Sequence, residues 1–246
     1  MRLTRCILSL LLAFLLFVPA LTPASAQSDF DPATYEWLVA KVYTPEGFDD
    51  NDTAMVVFDG FLENSCDIPL EPEREILPDF GTIVVKTQAR RGWCADGEAV
   101  SFHQEVALGI LPTGDYDISV NGNRLIEPLA IAESDNAGPD DFRYAAVASA
   151  DVVMRRDGVW QAELLLVLTN SCEQVAEVIV TDHAAAGGTI EVLPTLDWVD
   201  AEECWPVENP QWVFAPLPEM PQAGRYLLHV RAKEGEALNT LFNVPE

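Results

Sequence analysis

Leu111-Pro112-Thr113-Gly114-Asp115-Tyr116-Asp117-Ile118-Ser119-Val120-Asn121-Gly122 holds a turn, a strand and a second turn in one short stretch. Pro-x-Gly makes the first turn, Tyr116 opens a strand of alternating apolar and polar residues, and Asn121-Gly122 offers hairpin chemistry. The stretch returns, with one insertion, as Met220-Pro221-Gln222-Ala223-Gly224-Arg225-Tyr226. Further out, Asn64-Ser65-Cys66 recurs as Asn170-Ser171-Cys172, and Gly81-Thr82-Ile83-Val84-Val85 as Gly188-Thr189-Ile190-Glu191-Val192. Cys94 beside Trp93 has its counterpart in Cys204 beside Trp205. Landmarks of several residue types in the same order point to a duplication, hence two homologous domains.

The rest of the chain reads as strands. Thr53–Leu62, Thr82–Thr87, Val100–Leu108, Ile190–Leu193 and Tyr226–Val230 are β-rich runs, and Val152–Arg155 and Val159–Thr169 flank the turn Asp157-Gly158. Leu164–Leu168 is continuously apolar, the mark of a strand covered on both faces. Seventeen Pro argue against long helices; the one helix candidate, Asp140–Ala150, reads equally as a first strand. Six or seven short strands in roughly 100 residues per half match the size of an immunoglobulin-like β-sandwich. The expected fold is therefore all-β, with two tandem homologous immunoglobulin-like sandwiches, 27–133 and 142–246, joined by a polar Gly-Pro linker at 134–141.

Met1–Arg5 is basic, Cys6–Leu21 is apolar, and Thr22-Pro23-Ala24-Ser25-Ala26 ends in small residues, the layout of a signal peptide cleaved after Ala26. The expected product is exported, to a periplasm or the exterior, and carries no membrane span. Across its 246 residues the chain has 40 Asp+Glu against 14 Lys+Arg, a formal charge of −26, and cleavage removes two Arg more. That charge excludes nucleic acid and anionic membrane surfaces as partners, since both demand Lys/Arg stripes. Cleavage also removes one of the five Cys and leaves Cys66, Cys94, Cys172 and Cys204 for an oxidising compartment. Of the three possible connectivities, only Cys66–Cys94 with Cys172–Cys204 gives each half the same internal bridge. Zinc ligands come as closely spaced Cys/His pairs, and none is present.

The Leu111–Gly122 stretch resembles the L-P-x-G-x-Y-x-V-x-V signature of bacterial extracellular β-sandwich modules, among them carboxypeptidase regulatory-like and Cna-B-like domains. The resemblance implies a secreted sandwich scaffold and carries over no catalytic or ligand residue.

No nucleophile elbow, zincin helix, P-loop or dinucleotide Gly motif is present, and His103, His183 and His229 stand far from one another in sequence. His229 aligns with Ser119 and should face away from Tyr226 and Val230, a solvated or sheet-face position. Asp49-Asp50-Asn51-Asp52 and Asp140-Asp141 are oxygen-rich loops that could hold calcium, although an acidic loop in so acidic a chain is ordinarily just solvated. No other cofactor is indicated. Thr195–Trp212 sets Trp198, Trp205 and Trp212 among carboxylates around Cys204. Trp beside a disulfide ordinarily covers a core, as Trp93 would in the first half. Exposed, the same rings would stack on a glycan or anchor a protein of the envelope or exterior. Arg90-Arg91 is a small basic island suited to an internal salt bridge. The leading expectation is a non-enzymatic binding or envelope-assembly protein. The alternatives are an inhibitor of extracellular proteases and an enzyme of unrecognised type.

Overall fold

The computed structural model describes residues 33–245 apart from 95–96, 126–127, 184–187, 202 and 221, with the backbone alone at 182–183. The expected leader, Met1–Ala26, lies outside the described residues, as does the side chain of His183. The longer strands are β1 (Leu38–Tyr43), β2 (Ala54–Leu62), β3 (Glu73–Leu77), β4 (Thr82–Lys86), β5 (Val100–Gly109), β6 (Gly114–Val120) and β7 (Leu129–Ala132). They continue as β8 (Ala146–Met154), β9 (Trp160–Asn170), β10 (Glu173–His183), β11 (Thr189–Trp198), β12 (Pro206–Pro216), β13 (Gly224–Arg231) and β14 (Ala237–Val244). Among the described residues there is no α-helix, only 3-10 turns at Pro78–Phe80 and Lys233–Gly235. The chain is all-β, and the ambiguous stretch Asp140–Ala150 resolves as the lead into β8.

Three small sheets are purely antiparallel: β1-β2-β5, β8-β9-β12, and one of the two-residue strands Thr34–Tyr35, Ala89–Arg90 and Ile68–Pro69. Two larger ones have the orders β3-β4-β6-β7 and β10-β11-β13-β14. Each contains a matching parallel pair, β4 with β6 and β11 with β13, and in the first the short strand Phe48–Asp49 also runs parallel to β7. Antibody-type sheets are antiparallel throughout, so the strand order departs from the immunoglobulin pattern at this pair. The turns behave as their sequences demand. Asn121 and Gly122 both take positive φ, 49° and 79°, between β6 and the short strand Asn123–Arg124. Gly158 at φ 83° closes the hairpin of β8 and β9.

Alternation builds a core between each pair of sheets. Val56 and Phe58 of β2 meet Ile83, Val85, Ile118 and Val120 of β4 and β6 around Trp37. Ala162, Leu164, Leu166 and Leu168 of β9 meet Ile190, Val192, Leu228 and Val230 of β11 and β13. Gly60 lets β1 close on β2, since a Cβ there would lie 1.9 Å from the Leu38 carbonyl oxygen. Tyr116 Oη donates to Pro112 O at 2.9 Å, and Tyr226 Oη donates to Gln222 O at 2.7 Å. The Cys66 and Cys172 amides donate to Asn64 Oδ1 and Asn170 Oδ1 at 2.8 and 2.9 Å.

The disulfides are Cys66–Cys94 and Cys172–Cys204, with Cα–Cα distances of 5.9 and 5.5 Å and sequence separations of 28 and 32. Closing loops of that length stabilises each half by roughly 3–4 kcal/mol on the chain-entropy model.

The two halves meet within one compact unit, Thr34–Glu246. Tyr43 and Val57, on the outer face of β1-β2-β5, pack against Leu227 and Leu241 of β13 and β14. β2 and β13 are thus covered on both faces. The Leu164–Leu168 run, expected to be so, buries one face and leaves Leu165 and Val167 half-buried on the other.

Candidate functional site: an exposed aromatic sheet face

β12 runs antiparallel to β9 with Trp212 opposite Leu165 and Phe214 opposite Glu163. Ala215 points into the core with Ala162 and Leu164, so Trp212 and Phe214 share the outer face. They are 56% and 52% exposed. Cross-strand rows continue onto β8, Trp212–Leu165–Ser149 and Phe214–Glu163–Asp151. The face is therefore aromatic and aliphatic along β12 and β9, with carboxylates at one side. β12 is the open edge of its sheet, and Pro206, Pro210 and Pro216 interrupt its row of backbone donors. Such prolines blunt an edge against strand addition.

The three tryptophans of the Thr195–Trp212 segment do not form one site. Trp198 ends β11 with the Arg143 guanidinium 5.0 Å above its ring. Trp205 is tied to Ser171, whose amide donates to Trp205 O at 3.0 Å. Trp212 lies seven residues further on, roughly 23 Å at strand rise. All three are exposed, and so is Trp93, at 97%. The expectation that Trp beside each disulfide covers a core is corrected. The core position is taken by Trp37 in the first half and by Tyr226 and Phe242, stacked at 5.8 Å, in the second. Each bridge instead pins a loop outside the sandwich: Cys172 is buried, while Cys204 and its neighbours are exposed. Phe214 escaped the sequence reading, although Trp212-Val213-Phe214 is a period-two signal for one exposed face.

The acidic loops lie where the halves meet. Asp52 and Asp141 approach Arg231 of β13 at 2.9 and 3.7 Å, and Asp52 Oδ2 also accepts from the Asp49 amide at 3.0 Å. Asp49 Oδ1 accepts from the Asn51 amide. Asp50 accepts from the Ser134 amide, and Asp140 accepts from the amides of Glu234 and Gly235. A guanidinium thus stands against Asp52 and Asp141, the Asp49 amide is bound to Asp52, and Asp50 and Asp140 are engaged elsewhere. Among the described residues, no three His, Cys, Asp or Glu are grouped to hold a metal ion. Burial raises the carboxyls of Asp52 and Asp141 above the usual carboxylate range, against the pull of Arg231.

His229 faces away from Tyr226 and Val230 as its spacing requires, but it is fully buried against the first half rather than solvated. Its Nδ1 lies 2.8 Å from Asn239 Oδ1, while Asn239 Nδ2 donates to Met55 Sδ, so Nδ1 carries the proton. Nε2 has no partner among the described residues, and burial lowers the imidazole to about 4. His229 and Arg231 line a shallow groove of about 260 Å³ with Phe48, Asp52 and Tyr144. His103 stands exposed on the edge strand β5. Arg91 makes an exposed ion pair with Glu63 at 2.8 Å and covers the Tyr35 ring, the internal use expected of the basic island.

No protein family, curated protein or solved structure matches the chain.

Proposed function

We propose that the chain is an exported, non-enzymatic binding protein of two homologous β-sandwich domains that docks a protein partner on the outer face of β8-β9-β12. The duplication is supported by the seven longer strands of each half, paired in the same order with the parallel pair in the same place. The matching Tyr116 and Tyr226 bonds, Asn64 and Asn170 caps and disulfides add to it. The domain boundary falls at 134–141, between β7 and β8. Export is supported by the leader-like sequence and by two disulfides.

One observation carries the binding reading: Trp212 and Phe214 lie side by side, each more than half exposed, on a single sheet face. Burying such rings removes a large apolar area from water, and Trp is enriched among the residues that dominate interface energetics. Their neighbours Leu165, Val167 and Pro210 are apolar, which suits a protein surface better than a sugar ring needing donors and acceptors. The test is retention of envelope and extracellular proteins on the immobilised protein, set against a Trp212→Ser/Phe214→Ser variant of unchanged circular dichroism. A species held by the wild type and lost by the variant supports the reading. Identical retention by both, selective binding to glycans alone, or inhibition in a protease panel would replace it.

A further inference from the structure

We infer that the Trp212–Phe214 face docks the sheet face of another protein's β-sandwich, one that sets an aliphatic side chain beside an Arg or Lys. This rests on the binding-face reading above and specifies the partner. The chain itself shows how such a face is covered. In the first half, the outer face of β1-β2-β5 is closed by the outer face of β13 and β14. Val57 packs on Leu227, and Asp59, beside it on the same face of β2, forms an ion pair with Arg225 at 3.1 Å. Lys41 Nζ and Tyr43 Oη donate to the Arg225 carbonyl oxygen at 3.0 and 2.9 Å.

Strand register locates the same positions in the second half. Asn64-Ser65-Cys66 ends β2 as Asn170-Ser171-Cys172 ends β9, which sets Asp59 level with Leu165 and Val57 level with Glu163. His103 pairs with Asp59 as Trp212 pairs with Leu165, and Glu105 pairs with Val57 as Phe214 pairs with Glu163. The open face therefore again offers one aliphatic and one carboxylate position on its central strand. Trp212 and Phe214 now stand where the covered face has His103 and Glu105. The complementary cover has an aliphatic group over Leu165 and a cation over Glu163 and Asp151.

A second copy of this chain does not present that cover. Asp117 pairs with Thr82 as Leu227 pairs with Thr189, so Asp115 and Asp117 occupy the positions of Arg225 and Leu227 on the first half's free sheet. Docked head to tail, they would bring carboxylates against Glu163 and Asp151, and like charges at an interface cost several kcal/mol. The tandem thus has one acidic, non-adhesive end and one aromatic end, and the partner is foreign.

Sedimentation velocity of the purified protein tests this with a cover built into the chain. Asp115→Leu/Asp117→Arg gives the first half's free sheet an aliphatic group for Leu165 and a cation for Glu163 in the geometry of the natural cover. Both positions are solvent-facing apart from the Asp117–Arg124 ion pair. Should that variant misfold, Asp117→Leu/Ser119→Arg places the same pair one step along β6. The wild type is expected to sediment as a single species at all concentrations. The variant is expected to show a sedimentation coefficient that rises with concentration, and adding Trp212→Ser/Phe214→Ser should restore the wild-type value.

A folded, monodisperse variant overturns the partner class. So does association that survives loss of Trp212 and Phe214. Trp212-dependent association of the wild type would make a second copy the occupant instead. The capture experiment fails separately: if it succeeds while the engineered face stays monomeric, the binding face stands and only the sandwich partner falls.

Discussion

Arg231 of β13 and Asp52, which precedes β2, lie 179 residues apart in the chain and 2.9 Å apart in the fold, both almost completely buried. Arg231 also donates to the Gly47 carbonyl oxygen and approaches Asp141 at 3.7 Å. Its ring neighbour is Phe48, 5.3 Å away. Removing one member of such a pair strands the other charge in a low-dielectric site, which typically costs about 3–5 kcal/mol. Asp52→Ala is therefore expected to lower stability by that amount in chemical denaturation. Asp52→Leu with Arg231→Met should recover part of the loss, because the buried pair leaves together and Asp141, which also loses the guanidinium, is partly exposed to water. Equal destabilisation by the single and double substitutions would show that packing, not charge, holds the junction.

His229 sets a pH dependence of known sign. Burial holds its folded value near 4, below the ordinary 6.5, with Asn239 opposing and Arg231 assisting. Between those values the unfolded chain takes up a proton that the folded chain refuses, so stability falls as pH drops through that window. The full effect is about 3 kcal/mol at about 1.4 kcal/mol per unit of displacement. Asp52 and Asp141, whose values are raised, act in the opposite direction above the usual carboxylate range. They are common to wild type and variant and cancel in a difference. The stability difference between wild type and His229→Leu, measured from pH 7 to pH 4, should shrink by roughly that amount. A flat difference would mean that the imidazole titrates normally.

Each disulfide ties a loop to the end of its own sandwich, so loss of one should weaken its half and spare the other. Cys172→Ala/Cys204→Ala is expected to cost about 2–4 kcal/mol. Limited proteolysis should then cut the 199–205 loop first, with the Cys66–Cys94 half still protected. Early cleavage within the first half would show that the two halves unfold as one.

The strands, turns and disulfides were legible in the sequence because each rests on local chemistry: alternation in Tyr116–Val120, positive φ at Asn121 and Gly122, cysteine spacing that repeats. The parallel pairing of β4 with β6 was not, since parallel and antiparallel partners leave the same alternation. Nor was the junction. Leu164–Leu168 looked more deeply buried than Val56–Phe58, yet the latter is covered on both faces, because the cover comes from Leu227, distant in sequence. Trp198, Trp205 and Trp212 were found as residues, but their exposure depended on whether anything packs over the disulfide loops. That the calcium candidates Asp52 and Asp141 flank Arg231 could be read only once β13 was in place.

Trp37 and Trp212 make the last prediction a comparison of like with like. Trp37 is 1% exposed, fills the first core and meets Phe102 edge-on at 5.4 Å. Replacing it with Ala leaves a cavity among Val85, Ala89 and Phe102 and should cost about 3–5 kcal/mol. Trp212 is more than half exposed, and its loss uncovers only part of Leu165. Trp212→Ser, alone or with Phe214→Ser, should change stability by no more than about 0.5 kcal/mol in urea unfolding. A large exposed ring that does not contribute to folding is what the proposed contact face requires. Should Trp212→Ser cost as much as Trp37→Ala, the ring belongs to the fold, and the proposed binding face falls.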